Sequence, residues 1–443
     1  MLNLLKIDGN LPKIEKSNSL YEKIKVLIPS GTHTLAKGVT QYVDGVAPKF
    51  LERGKGAIVW DVDGNAFIDY TMAVGPLSLG YSYDVVDNAI KEQLDKGIAF
   101  SLLNPLELEV AELVHNVVPN AEMVRFARGG ADVTSMAVRL ARAYTGKRKI
   151  LCCGYHGWHD WYVSVTPRNN GVPIEVQNLT NTFEYNNIQS LINSIDEDTA
   201  AVILEPVTFF EPKDHFLHQV QEICQKNDVV LIFDEMWTGF RMANGGAQEY
   251  FGITPDLATF SKAIANGMPL AVITGKAEIL KLIENDVFIY STFGGEALSL
   301  VAAKATINEI TEKNVTSYLN QIGGYLKTSL NKILEEIGLD YIKIIGYNFR
   351  LMIDINHSTI DNLLIKSFIQ QELIRNGILW STYYNMSYSH TQEIIDYTIE
   401  VHKNVFNKLK QVVDNNSLQN ELKGNPIQPL FRRVSNFNTK PRI

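Results

Sequence analysis

Residues 123–153, MVRFARGGADVTSMAVRLARAYTGKRKILCC, decide the fold. A β-rich run, MVRFA, enters a glycine turn, a helical pattern follows from Asp132 to Thr145, and a second apolar run, KILCC, closes the segment. Strand, crossover helix and strand in that order mean parallel strands, which no tight turn can join. The alternation continues outward between about Asp84 and Gly295, where AAVIL, VVLIFD and LAVITG are further strand-length apolar runs separated by helical stretches. Continuous rather than alternating apolar character is expected of strands that helices cover on both faces.

Upstream, AIVWDVDGNAFIDY (residues 57–70) sets Asp63-Gly64-Asn65 between two β-rich runs and predicts a hairpin. The first 25 residues are polar and weakly patterned, and Ile28-Pro29-Ser30-Gly31 breaks the chain before an irregular stretch to about Pro48. This reads as an arm lying on another surface. Downstream come a long helical segment from Ala297 to about Ile337, broken near Gly323-Gly324, then a strand FRLMIDI, a helix IDNLLIKSFIQQELIRNG and a last helix from Thr391 to about Val413. The expected division is 1–56 as arm and part of a smaller lobe, 57–296 as the large domain with the hairpin at its edge, 297–415 as long helix and C-terminal lobe, and 416–443 as an extended tail.

Composition excludes several classes of function. Forty-one basic against 49 acidic residues among 443 give a net charge of −8, with 45% hydrophobic and 20% charged residues, as in a soluble globular protein. No basic run is present to displace counterions from nucleic acid. Apolar stretches such as Val229 to Phe233 are strand-length, against the roughly 20 residues of a membrane span. Three cysteines make no disulfide framework, and the N-terminus has no signal-peptide pattern, so the expected compartment is the cytoplasm.

The chemistry-bearing residues follow strand ends. In VVLIFDEMWTGFR (229–241) an apolar strand stops at Asp234-Glu235, where ligands gather in open parallel sheets; a cap or turn explains one such acid equally well. Lys262, in FSKAIANG, stands among small and apolar residues. Stripped of water, a lysine attacks carbonyls and forms a Schiff base; on the surface it would be unremarkable. Together, a strand-end Asp and such a Lys are what pyridoxal phosphate (PLP) requires, one to keep the pyridine nitrogen protonated and one to hold the aldehyde. The turn Arg128-Gly129-Gly130-Ala131-Asp132 leads into a helix N-terminus that suits a phosphate, or is an ordinary strand-to-helix turn. In GYHGWHDWY (154–162), His156 and His159 lack a metal-binding spacing, and Tyr155 suits stacking on a planar ring.

Taken in order, FARGGADVTSMAVRLARAYTGK, GYHGWHDWY, ILEPV, IFDEMWTGFR, FSKAIANG and STFGGEAL resemble the class III PLP-dependent aminotransferases, in the glutamate-1-semialdehyde aminomutase-like branch associated with surface-polysaccharide gene clusters. The resemblance covers about residues 25 to 410. It implies an α/β fold of fold type I: a large domain with a mainly parallel seven-stranded sheet covered by helices, plus a smaller α/β lobe. It also implies roles. Lys262 is the Schiff-base lysine and proton shuttle, and Asp234 the partner of the pyridinium nitrogen. Tyr155 and Met236 lie on the two ring faces, Gly130 and Ala131 in the phosphate turn. Thr292 reaches the phosphate from the neighbouring subunit of a homodimer, and Glu205 is the active-site glutamate. No metal is implied. The implied partners are a small amino donor and a carbonyl acceptor, carbohydrate-like in the polysaccharide branch.

Three departures from the family pattern stand out. Gly129-Gly130-Ala131 replaces Ser-Gly-Thr and loses hydroxyl donors, a loss that Thr134 or Arg128 could offset. Lys37 replaces the arginine that grips the substrate carboxylate in the aminomutase, and Val74 replaces a pocket aromatic. A lysine offers no bidentate fork, so the expected activity is a transaminase, with the intramolecular aminomutase as the alternative. Glu296-Ala297 replaces Asn-Pro, and helix capping suffices to explain it.

Overall fold

The computed structural model describes residues 2–5 and 9–428, in two units. Of the described residues, 84–316 make up the larger; those up to 83 and from 317 to 428 make up the smaller.

The larger unit is built on seven strands: β1 (Met123–Ala127), β2 (Lys149–Cys153), β3 (Thr180–Thr182), β4 (Thr199–Leu204), β5 (Val230–Asp234), β6 (Leu257–Phe260) and β7 (Ala271–Gly275). They lie in the order β1-β7-β6-β5-β4-β2-β3. All pairings are parallel except those of β7, which runs antiparallel between β1 and β6. This is the mainly parallel seven-stranded sheet expected from the sequence. Every residue of β4 and β5 is buried, which is why both read as unbroken apolar runs. Because β1, β2, β4, β5 and β6 share one direction, their carboxyl ends lie along one edge.

The helix Gly130–Thr145 covers the sheet with Val133, Ala137, Val138, Leu140 and Ala141. Burying one such leucine contributes roughly 2 kcal/mol. Its start is fixed by the Asp132 carboxylate, which accepts the Gly129 N–H at 2.9 Å. It ends at Gly146 in the left-handed region, φ 69°.

The helix Ala297–Glu312 also belongs here, packed on the helices Asp84–Leu94 and Pro105–Val117. Glu296 caps it, accepting from Leu298 N–H at 2.9 Å and Ser299 N–H at 3.0 Å. The chain breaks not at Gly323-Gly324 but at Lys313-Asn314, where Asn314 is left-handed. Gly323 lies inside the next helix, Val315–Ile337, and serves close approach: a Cβ there would stand 1.8 Å from the Asn348 carbonyl oxygen.

In the smaller unit the hairpin forms as read, Ile58–Asp61 against Ala66–Asp69. Its place differs from expectation. Ala66–Asp69 pairs in parallel with Ile378–Leu379, and Phe67 packs on Val43, Ile374 and Leu379, so the boundary falls at 83 rather than 56. The weakly patterned first 25 residues hold a helix, whereas the stretch from Ile28 to Pro48 has only short helical turns, as its irregular sequence suggests. Glu15–Leu27 is a helix whose first N–H groups, at Lys16 and Ser17, donate to the hairpin-turn carboxylate of Asp63 at 2.7 and 2.8 Å. The strand Arg350–Ile355 lies between Ile342–Tyr347 and Tyr383–Asn385. The helices Asn362–Arg375 and Gln392–Asp414 follow the sequence reading closely. In the tail, Leu418–Glu421 is a helical turn and Asn425 bridges Asp44; residues beyond 428 lie outside those described. Among the described residues no helix is long and apolar enough to cross a membrane.

Candidate active site

Asp234 ends β5 and is 1% exposed. A carboxylate so deeply buried needs partners, and it has two: His156 Nδ1–H donates to Oδ2 at 2.7 Å, and the Met236 N–H donates to Oδ1 at 3.1 Å. The His156 ring is itself wedged against Trp161 and Tyr162. Its neighbour in sequence, Glu235, has a different task. It accepts from the Thr238 hydroxyl and from the N–H groups of Ala247 (2.8 Å) and Gln248 (3.0 Å), starting the short helix Ala247–Phe251. Burial pushes its carboxyl up to about 7.

Lys262 follows the end of β6, with its backbone in the left-handed region at φ 45°. The loop is closed by Ser261 Oγ–H, which donates to the Leu270 carbonyl at 2.7 Å. The Lys262 Nζ sits 4.1 Å from the centroid of the Trp237 ring. The turn Asp234–Trp237 thus carries both the buried carboxylate and the surface on which the lysine rests.

The phosphate turn meets the same edge. A Cβ on Gly130 would stand 2.9 Å from Met236 Sδ, and one on Gly157 would stand 2.7 Å from the Ala131 Cβ. These contacts bring Gly130, Ala131, Met236 and the loop after β2 together. The N–H groups of Gly130 and Ala131 open a helix of 16 residues, and neither donates to another described residue. With the positive end of the helix behind them, they fit a phosphate. The helpers considered from sequence do not serve it. Thr134 Oγ–H is turned to the His156 carbonyl at 2.8 Å, and Arg128 lies 3.6 Å from Glu296 and over Phe293.

Tyr155 is half-buried and packs on the same core cluster as Met236. Its N–H donates to Glu205 Oε2 at 2.8 Å, and Gly154, at φ 113°, leaves room for that carboxylate. Glu205 therefore fixes the turn that presents Tyr155. Thr292 is not gathered with the others. It is exposed on an open concavity of about 420 Å³ lined by residues 99–104, Glu107 and Glu296. Lys37 and Val74 belong to the smaller unit, where Val74 lies in a left-handed run, Met72 to Gly75, at φ 47°, 55°, 70° and 96°.

Two contributors were not read from the sequence. His156 was weighed only as a metal ligand; instead it holds Asp234, while His159 pairs with Ser135 Oγ at 2.6 Å. Trp237 carries no reading from the sequence beyond its place in VVLIFDEMWTGFR. A histidine three residues past one strand end, with an acid closing a neighbouring strand, was the available signal for the first.

The class-III aminotransferase family model matches residues 41–382. The chain is 33% identical to the 3-aminobutyryl-CoA aminotransferase of Cloacimonas acidaminovorans, over 90% of this chain and 99% of that one. It is 36% identical to the glutamate-1-semialdehyde 2,1-aminomutase of Methanosarcina acetivorans, over 74% and 81%. The FumI protein of Sphingopyxis sp. MTA144, solved with PLP, superposes with a TM-score of 0.83 at 26% identity, covering 93% of this chain and 98% of that one. With its fold, its sheet edge and its matched span in agreement, the chain belongs to the class-III aminotransferase family.

Proposed function

We propose that the protein is a PLP-dependent transaminase that moves an amino group from an amino donor to a separate keto or aldehyde acceptor. One observation carries the reading: a fully buried Asp234, fixed by His156, shares a four-residue turn with the ring that supports Lys262 Nζ. When bound, PLP supplies an electron sink for negative charge developing on the substrate carbon. Gly130 and Ala131 N–H groups would hold its phosphate, and Asp234 would hold a proton on the pyridine nitrogen. Tyr155 and Met236 would flank the ring. Lys262 would be the residue that anchors the aldehyde and carries the proton to and from the reacting carbons. Glu205 positions Tyr155.

The aminomutase relatives favour a second reading, transfer within one molecule. Against it stand Lys37 and Val74, which depart from the aminomutase pattern. We place the reaction in the cytoplasm, where the three buried cysteines, which form no disulfide, stay reduced. The acceptor we favour is a carbohydrate-like carbonyl; the exposed Trp158 ring beside the phosphate turn would stack on a sugar face. The active unit is a homodimer, supported by a band of exposed apolar side chains around Thr292, among them Leu102, Leu103, Phe288 and Tyr290.

The test is a half-reaction screen. Purified protein mixed with PLP develops a visible absorbance band, which candidate amino donors bleach and an added carbonyl acceptor restores. Lys262→Ala lacks the band and loses on the order of 10³-fold or more in turnover. Sustained turnover of one amino substrate with no acceptor present would overturn the transaminase reading in favour of the aminomutase.

A further inference from the structure

We infer that Trp237 is a positioning residue for Lys262: its indole is the platform on which the lysine ammonium rests whenever that nitrogen is not bonded to the cofactor. The inference rests on the reading of Lys262 as the cofactor-bonding lysine, and it goes beyond that reading by assigning the residue that opposes the bond.

The Lys262 Nζ lies 4.1 Å from the Trp237 ring centroid, inside the roughly 6 Å over which a cation is attracted to an aromatic face. Tryptophan gives the strongest such attraction of the aromatic side chains. The turn that carries the ring is held from several directions. The Trp237 carbonyl accepts from Arg241 Nη1–H at 3.2 Å, and the same guanidinium lies 5.6 Å from the ring centroid. On the N-terminal side, the Met236 N–H is tied to Asp234. Gly239, two residues on, touches the strand that delivers the lysine: a Cβ there would meet Phe260 Cδ1 at 2.4 Å. Phe260 ends β6, two residues before Lys262. The turn that carries the ring and the strand that delivers the lysine are thereby packed against each other, and the long lysine side chain supplies the motion.

Bonding to the aldehyde has a definite balance. The ammonium nitrogen gives up two hydrogens and gains a C=N bond, the aldehyde oxygen leaves with those hydrogens as water, and the positive charge stays on nitrogen. That nitrogen must leave the indole face to reach the aldehyde carbon. With pyridoxamine phosphate (PMP), which has no aldehyde, no such bond forms and the ammonium keeps its platform. Trp237 therefore weighs against the aldehyde form alone, and eases release of the lysine when an amino donor displaces it.

This separates two affinities. In the full-length protein stripped of cofactor, dissociation constants for PLP and for PMP are measured by equilibrium titration in wild type, Trp237→Phe and Trp237→Leu. The leucine variant is expected to lower the PLP-to-PMP ratio of dissociation constants by about three- to tenfold, with PMP affinity changed less than about twofold, and the phenylalanine variant to fall between. The Trp237 side chain is only half-buried, so replacement is compatible with folding; should leucine fail to fold, the phenylalanine ratio alone decides. An unmoved ratio in the folded variants, or a phenylalanine variant equal to leucine, overturns the assignment. A Lys262→Ala variant that binds PLP like wild type would instead sink the underlying reading of the lysine.

Discussion

A buried carboxylate is only as useful as the group that holds it in place, and at Asp234 that group is His156. The carboxylate is out of reach of solvent, so without the imidazole its remaining partner is a single N–H from Met236. A hydrogen bond to a buried ionised group is worth about 1.5–3 kcal/mol. His156→Leu is therefore expected to leave the Asp234 carboxylate loosely held and to slow turnover by about 10- to 100-fold. His156→Asn can place its amide N–H near the lost Nδ1–H and should recover part of the rate. Steady-state kinetics with both variants checks this; equal rates in leucine and asparagine would mean that the ring acts by packing alone. The two acids of the Asp-Glu pair show how little residue type alone reveals. Their neighbours assign one to the site and the other to capping Ala247–Phe251.

At the scale of elements, the segments that flank the concavity carry the next expectation. Leu102 and Leu103 are 86% and 87% exposed, and Phe288 and Tyr290 are nearly as open. Large apolar side chains gathered in this way mark a surface that another protein covers. The proposed homodimer predicts a species of twice 49.8 kDa by light scattering, and a Leu102→Asp, Leu103→Asp double variant that runs as a monomer with its fold intact. A monomeric wild type at micromolar concentration refutes it. Strands and crossover helices were legible because burial on both faces leaves unbroken apolar runs, as in β4 and β5. What escaped depends on long-range partners. The helix Glu15–Leu27 shows exposed Val26 and Leu27 and draws its cap from Asp63, far along the chain. The hairpin was read from its turn, but its membership depended on two residues near 378 that no local pattern joins to it. Gly323 looked like a helix breaker because its close neighbour, Asn348, is invisible locally.

Across the whole molecule, two buried histidines of the smaller unit and Glu235 of the larger push the acid response in opposite senses. In the smaller unit His402 is fully buried, with Nδ1–H donating to the Thr398 carbonyl at 2.7 Å and Nε2 accepting from Tyr384 O–H at 2.6 Å. His390, stacked on Tyr70, accepts the Ser387 N–H at Nδ1. Both arrangements suit a neutral ring, and burial pushes both histidines down from 6.5 to about 4. Between those values the unfolded chain holds protons that the folded unit refuses, so stability falls as pH drops from about 7 toward 4, by up to about 3 kcal/mol per histidine. Glu235 in the larger unit has the reverse sign. Its carboxyl is raised from 4.5 to about 7, so the folded form binds the extra proton, and stability rises as pH falls through that window. Hydrogen exchange at pH 7 and pH 5, corrected for intrinsic rates, is therefore expected to show protection lost first around residues 384–409 while strands β4 to β6 hold. A His390→Asn, His402→Gln variant should flatten the pH dependence of the smaller unit without altering that of the larger. Loss of protection in the larger unit first, or an unchanged slope in the double variant, would show that other groups control the acid response.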